Sequence, residues 1–278
     1  MRISEVNIYP IKSLKGIGIS ESVVEDRGLM FDRRWMLVDE AGNFITQREY
    51  PVMARISVEV VARRLLVKFG GDSIDIPFPD EGDEHQRVKV WSSSVKAARY
   101  QDRISDWFSE VIGVPCRLVG MTAESKRTVS PFYAVGKFRD VVSFADGYPF
   151  LLIGQGSLDD LNSRLEEPVP MNRFRPNFVV EGAEPFAEDD WKKIRIGSTV
   201  FYVVKPCARC VMTTVEQSAG IKTGQEPLRT LASYRNRKGK VLFGQNLIAD
   251  RAGDVVRVGD EVEVLEKVRE TVKFNSGG

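Results

Sequence analysis

The residues Lys205-Pro206-Cys207-Ala208-Arg209-Cys210 set two thiols three positions apart beside two cations. A Cys-x-x-Cys pair has three chemical readings. A zinc knuckle needs four ligands, and the remaining sulfur and imidazole are Cys116 and His85, which are poorly spaced for it. A redox dithiol needs a helix N-terminus, yet Val211-Met212-Thr213-Thr214-Val215 is a β-branched run that favours a strand. The third reading is one activated thiolate. Lys205 and Arg209 favour the anion, which ligates soft metals and attacks electrophiles. Two packed core thiols stand beside all three. Cys116, in Val114-Pro115-Cys116-Arg117-Leu118, reads as core.

A second, cationic set lies far away along the chain: Lys12, Ser13 and Lys15 around a turn, Arg33 and Arg34 before a strand, and Arg173 and Arg175 before Asn177. Arginines at strand ends present a planar fork to phosphate or a polar heterocycle, although each taken singly reads as an exposed charge. Together with a thiolate they outline a site for an anionic, sulfur-rich ligand. Gly154-Gln155-Gly156 is half of a dinucleotide fingerprint, with Asp159 where the third glycine belongs; a turn and helix cap explain it. No GxxxxGK[ST] loop occurs, so ATP chemistry is not expected. The single histidine, His85, lies in an acidic, Gly-containing run that reads as a surface loop, which removes multi-histidine metal sites and leaves a Ser-His-Asp triad one candidate.

The elements that must position these residues are mostly strands. Alternation marks Ile17–Glu21, Ser57–Val60 and Arg87–Val90, and two such runs around Gly259-Asp260 predict a terminal hairpin. Three helices are predicted. One places Ile104, Trp107, Phe108 and Val111 on a face and stops at Gly113; one is capped by Ser157, with Asp160 in the capping box; one starts after Pro227. The class is mainly β (α+β), with an N-terminal barrel-like domain over 1–115 and a second barrel domain over 116–268.

At 278 residues, 42% hydrophobic and 28% charged, the chain has ordinary globular usage and length for two domains. The formal charge of +1 argues against nucleic acid as the main partner. Three cysteines make no disulfide framework, Met1–Glu5 shows no signal-peptide pattern, and Phe150–Ile153 is too short to span a bilayer; a cytoplasmic protein without membrane contact is expected.

The ordered motifs YPIKSLKG, DRRW, NRFRPNF, KPCARCVMTTV and LFGQN closely resemble proteins with an N-terminal MOSC β-barrel followed by a MOSC domain. These are the YcbX-like bacterial proteins and the mitochondrial amidoxime reducing components, and the resemblance runs from about Ser4 to Leu265. It implies a molybdenum cofactor (Mo-molybdopterin) held by one protein cysteine, matching Cys210 as the metal ligand and catalytic residue. By the same match Lys12, Ser13, Arg33, Arg175, Asn177, Arg209 and Asn246 would hold the cofactor, and Asp146 is the acid near the metal. The implied reaction is reduction of N-hydroxylated compounds (amidoximes, hydroxylamines, N-hydroxylated bases) to amines or amidines. The chain shows no cluster or flavin motif, so a separate electron donor is expected: a flavin reductase, ferredoxin or cytochrome.

Against the family pattern, Ala208 stands where some relatives carry Ser, and Gly147-Tyr148 replaces a hydroxyl pair. Some bacterial relatives continue into a cysteine-bearing iron–sulfur domain, whereas this sequence runs on from Val268 into a short polar tail. Two other readings remain: a sulfur-carrier or cofactor-binding MOSC protein without reductase activity, and a non-catalytic β-barrel binding module.

Overall fold

Phe150–Gly154 and Phe178–Glu181 are near-continuous apolar runs, which are stable only when both faces are covered. In the computed structural model, which describes residues 1–79, 84–135 and 140–268, they form the parallel centre of a nine-stranded sheet, Leu152 opposite Phe178. From one edge the sheet runs Ile17–Ile19, Arg2–Ile8, Phe178–Glu181, Phe150–Gly154, Lys240–Ala249, Thr199–Ala208, Trp191–Ile196, Val262–Lys267; Asn236–Arg237 pairs beside Lys240–Ala249. Its other pairings are antiparallel. Under it, Phe150 stacks on Phe178 with ring centroids 5.8 Å apart, and Phe201 meets both edge-on. Each such ring contributes roughly 1.5–3 kcal/mol by burial.

A four-stranded antiparallel sheet carries Trp35–Val38, Arg117–Gly120, Ser93–Arg99 and His85–Val90, and a three-stranded meander carries Ser57–Val61, Arg64–Phe69 and Asp72–Pro77. Helix α1 (Asp102–Ile112) lays Ile104, Phe108 and Ile112 into the core they share. It ends where Gly113 takes φ 83° and donates to the Ser109 carbonyl, as its position predicts. Helices α2 (Gln155–Asn162) and α3 (Leu228–Tyr234) complete a mainly β, α+β chain. Strand pairing crosses residue 115 repeatedly. Arg2–Ile8 joins Phe178–Glu181, Glu21–Glu25 joins Val255–Arg257, and Arg117–Gly120 joins Trp35–Val38. Among the described residues no helix is long and apolar enough to cross a membrane.

Four local predictions are corrected. The runs around Gly259-Asp260 do not pair with each other: Val255–Arg257 pairs with Glu21–Glu25, and Val262–Lys267 with Trp191–Ile196. The N-terminus enters the turn instead. Ile3 N–H donates to the Asp260 carbonyl at 2.9 Å, and Gly259 N–H to the Ile3 carbonyl at 2.8 Å. Ser157 is not a cap but lies inside α2, where its hydroxyl donates to the buried Glu188 carboxylate. The Gly154 N–H donates to that carboxyl group too, so a side chain of the protein already occupies the helix start that a dinucleotide phosphate would need. The run after Cys210 forms a 3-10 turn, Val211–Thr214, because the Thr213 and Thr214 hydroxyls donate back to the Cys210 and Val211 carbonyls. His85 opens a strand and is half-buried; Asp80–Asp83 of its predicted loop, and the tail after Val268, lie outside the described residues.

Replacing Phe178 by Ala removes a ring from the centre of the sheet and is expected to cost about 3–5 kcal/mol in denaturant unfolding. Phe132→Ala, at a side chain 94% exposed, is expected to change stability by less than about 0.5 kcal/mol. Equal effects would show that the aromatic cluster does not carry the sheet.

Candidate functional site

Six chain segments converge on one cleft. The first leaves strand Arg2–Ile8 and turns at Leu14, whose N–H donates to the Ile11 carbonyl; Lys12 N–H donates to the Trp35 carbonyl at 2.7 Å. This sets Lys12 and Ser13 in the wall. The second segment brings Arg33, whose N–H donates to the Tyr9 carbonyl at 2.9 Å. The third is the 3-10 turn Met171–Arg173 with Phe174, Arg175 and Asn177 behind it. Strand Thr199–Ala208 runs out into Arg209 and Cys210, and its neighbour Lys240–Ala249 contributes Asn246, opposite Lys205. The loop Ala145–Tyr148 closes the rim. All nine residues expected from the sequence therefore line the same cleft: Lys12, Ser13, Arg33, Asp146, Arg175, Asn177, Arg209, Cys210 and Asn246.

Three of them hold backbone conformations that L-residues avoid: Ser13 at φ 67°, Arg33 at 51° and Arg175 at 55°. Such strain persists only where the surroundings over-determine it. Here the Gln47 amide donates to the Ser13 carbonyl at 2.8 Å, while Arg33 Nη2 donates to the Arg175 carbonyl at 3.2 Å. The guanidinium groups of Arg33 and Arg175 lie 4.4 and 4.2 Å from the Tyr9 ring centroid. Burial pushes the Tyr9 hydroxyl up to about 12, against the pull of both arginines, so it stays protonated and donates to the Pro176 carbonyl.

The lining is strongly cationic, with Lys12, Arg33, Arg173, Arg175 and Arg209 against the Asp146 carboxylate. Arg33 is neutralised by the fully buried Asp32 at 2.6 Å. Burial opposes its charge, yet Asp32 and Tyr9 hold the guanidinium above its ordinary value. Arg175 has no such partner among the described residues, and burial lowers it to about 10. Lys12 Nζ donates to Asp146 Oδ1 at 2.6 Å and to the Phe144 carbonyl at 2.8 Å. Burial pulls the ammonium below its ordinary value while Asp146 pulls it back. Burial likewise works against the Asp146 charge, but Lys12, Trp91 and Arg33 outweigh it and hold the carboxyl well below the usual range. That side chain is 65% exposed to the cleft, so solvent screens part of the effect.

Four buried polar atoms of the wall have no hydrogen-bond partner among the described residues: Ser13 Oγ, Arg173 Nε, Arg175 Nη2 and Arg209 Nε. Buried donors are ordinarily satisfied, so a cationic wall with several unmet ones fits a ligand rich in anionic and polar oxygens. Asn177, by contrast, is spent on the protein: its Oδ1 accepts from Leu151 N–H and Arg33, and its Nδ2 donates to the Asn7 carbonyl. Asn246 Nδ2 donates to the Lys205 carbonyl at 3.0 Å.

The three sulfurs separate cleanly. Cys116 is buried, and burial pushes its thiol up, as suits a core residue. Cys207 is half-buried with Arg209 Nη1 at 3.0 Å from its sulfur, whereas Cys210 is exposed at the cleft. Among the described residues no three or more His, Cys, Asp or Glu side chains converge on a metal position, so the zinc-knuckle geometry is absent from them. Cys207 and Cys210 both line the cleft, and Cys210 is the more exposed of the two.

Sequence reasoning missed Arg127. Its buried guanidinium donates to the carbonyls of Ser143, Ala145 and Asp146 and so shapes the loop that carries the acid. Arg173 and Phe174 also line the cleft; the Asn172–Pro176 cluster pointed to the former, but nothing in the sequence marked the latter as wall.

Residues 1–115 match the MOSC N-terminal beta barrel domain, and residues 139–263 match the MOSC domain. Mitochondrial amidoxime-reducing component 1 of Xenopus laevis is 34% identical over 279 residues, covering 94% of this chain and 81% of that protein. Its Homo sapiens counterpart is 33% identical over 281 residues, covering 95% and 82%. The molybdenum cofactor sulfurase of Oryza sativa subsp. japonica is 35% identical over 263 residues, 88% of this chain; the chain spans 32% of that protein's length.

Lys12→Met is expected to return the Asp146 carboxyl toward the ordinary carboxylate value of about 4, followed by carboxyl NMR titration. The sign is set by the depressed value in the folded state: the pair's contribution is present above about pH 4 and fades as pH falls through the folded value. An unmoved titration would remove Lys12 as the cause. Ser13→Gly relieves a left-handed backbone and is expected to leave stability unchanged or raise it by up to about 1 kcal/mol. A clear loss in thermal unfolding would mean that the Ser13 backbone is not strained.

Proposed function

The chain belongs to the MOSC family, carrying its N-terminal β-barrel and MOSC domains, and from that premise we propose that it binds a molybdenum cofactor and reduces N-hydroxylated compounds with it. The observation that carries this reading is one exposed thiol, Cys210, at a cleft walled by five cations and four unmet buried donors. Relatives named for amidoxime reduction, matched over most of their length, support the reaction class.

When bound, the cofactor supplies two-electron oxygen removal: an N–OH group, two electrons and two protons give N–H and water. The chain's own residues do the rest. Cys210 would hold the metal through its sulfur, the soft donor at the cleft. Ser13, Arg173, Arg175 and Arg209 would hold the cofactor, their unmet polar atoms being suited to its anionic and polar oxygens. Arg33 and Asn177, bonded to each other, line the same cleft, and Arg33 also donates to the Arg175 carbonyl and so helps to hold that segment in place. Asp146, kept ionised by Lys12, is suited to accept hydrogen bonds from the N–H groups of an amidoxime or amidine and orient them, not to act as an acid near neutral pH. Lys12 Nζ holds the proton nearest that carboxylate. The two electrons come from a separate protein, a flavin reductase, ferredoxin or cytochrome.

A second reading, a cofactor-carrying protein that serves sulfuration and reduces nothing, is favoured by the similarity to the rice sulfurase. Protein made in a host that synthesises the cofactor is expected to hold about one molybdenum per chain, and Cys210→Ser to lose at least about tenfold of it. The wild type is expected to convert benzamidoxime to benzamidine with reduced viologen as donor. Bound molybdenum without turnover would favour the second reading. No molybdenum in well-folded wild type would sink both.

A further inference from the structure

At the rim of the cleft, beside Asp146 and Lys12, stand two aromatic rings and an arginine that the proposed chemistry leaves unused. Trp91 is 52% exposed, an unusual cost for so large an aromatic, and its backbone is held at φ 56°. Its indole Nε1 donates to Asp146 Oδ1 at 3.3 Å. Phe44 meets the indole edge-on at 5.0 Å, and Lys12 Nζ lies 5.2 Å from the Phe44 centroid. Asp146, Trp91, Phe44 and Lys12 thus close a ring of contacts, two of whose members are already cleft wall.

Over the two aromatics lies Arg48, 4.7 Å from the Trp91 ring centroid and 5.5 Å from that of Phe44. Lys12 is answered by Asp146, but the Arg48 guanidinium has neither a carboxylate nor a hydrogen-bond partner among the described residues; only its backbone N–H is bonded, to Thr46. A guanidinium ordered by stacking alone keeps its N–H fork free for a planar anion. The indole beneath it is still half exposed, and that open part offers a flat surface to an aromatic ring. We infer that this ledge selects the substrate: planar N-hydroxy compounds bearing an anionic group, carboxylate or phosphate, lay their ring on Trp91 and their anion on Arg48. The inference rests on the reductase reading and deepens it by naming the substrate class.

The test uses the holoenzyme with reduced viologen, comparing benzamidoxime with analogues carrying a para carboxylate or a para phosphate. The wild type is expected to show the higher kcat/KM for an anionic analogue, and the analogue that gains more identifies the anion. Arg48→Gln is expected to lower that preference about tenfold, through KM, and to leave benzamidoxime unchanged. Arg48→Lys restores only part of it, since an ammonium lacks the planar fork. Calorimetric binding of benzamidine and its para-carboxylate to the same proteins reads the ledge without turnover. An Arg48-dependent affinity difference with no turnover of any substrate would overturn the reductase reading and keep the ledge. An unchanged preference in Arg48→Gln would overturn the ledge and leave the reductase reading standing. Slowing that is equal for all substrates and confined to a protein electron donor would assign Arg48 to donor docking and end the substrate proposal.

Discussion

A carboxylate sealed from solvent ties the cleft together. Asp32 accepts the Tyr9 N–H at 2.9 Å on one oxygen and Arg33 Nη1 at 2.6 Å on the other. Arg33 then reaches the Arg175 carbonyl and the Asn177 side chain, so three segments remote in sequence share one bonded unit. Removing either partner of a buried pair leaves an uncompensated charge worth roughly 3–5 kcal/mol, which keeps the unit all-or-none. The remaining wall is built on that frame: Arg175 and Arg33 over the Tyr9 ring, and Asn177 carrying the Leu151 backbone.

The cost of the arrangement is local. Arg175 and Arg173 are buried with donors unmet, and burial lowers both below their ordinary values. Ser13, Arg33 and Arg175 add left-handed backbone where glycine would be relaxed. Proteins tolerate such defects where function requires them and make up the loss elsewhere. Here the Phe150, Phe178 and Phe201 cluster lies under the sheet whose strand ends carry the cleft. The rim is handled separately: Arg127 gathers three carbonyls and fixes the loop of Asp146 without entering the cleft.

Much of the fold was legible because it depends on local physics. Alternation over Ser57–Val60 and Arg87–Val90 located the strands Ser57–Val61 and His85–Val90, and one apolar face with a terminal glycine located α1. Two of the errors share a cause in long-range partners. The runs flanking Gly259 carry a good hairpin pattern, but the backbone of Ile3 takes the turn's hydrogen bonds. Ser157 has the type and position of a cap, but Glu188, distant in sequence, claims its hydroxyl and the Gly154 N–H.

The sequence by itself determined the chemistry on offer: three cysteines, one histidine, a Cys-x-Arg-Cys run, and cations at predicted strand ends far from it along the chain. These follow from residue type and spacing, which the chain carries wherever it folds. Whether the cations meet was decided by tertiary structure, because convergence depends on strands from both ends of the chain pairing in one sheet. The same holds for the sulfurs. Nothing local separates Cys207, contacted by Arg209, from Cys210, open at the cleft; the difference is burial, a property of the packed neighbours rather than of the residue.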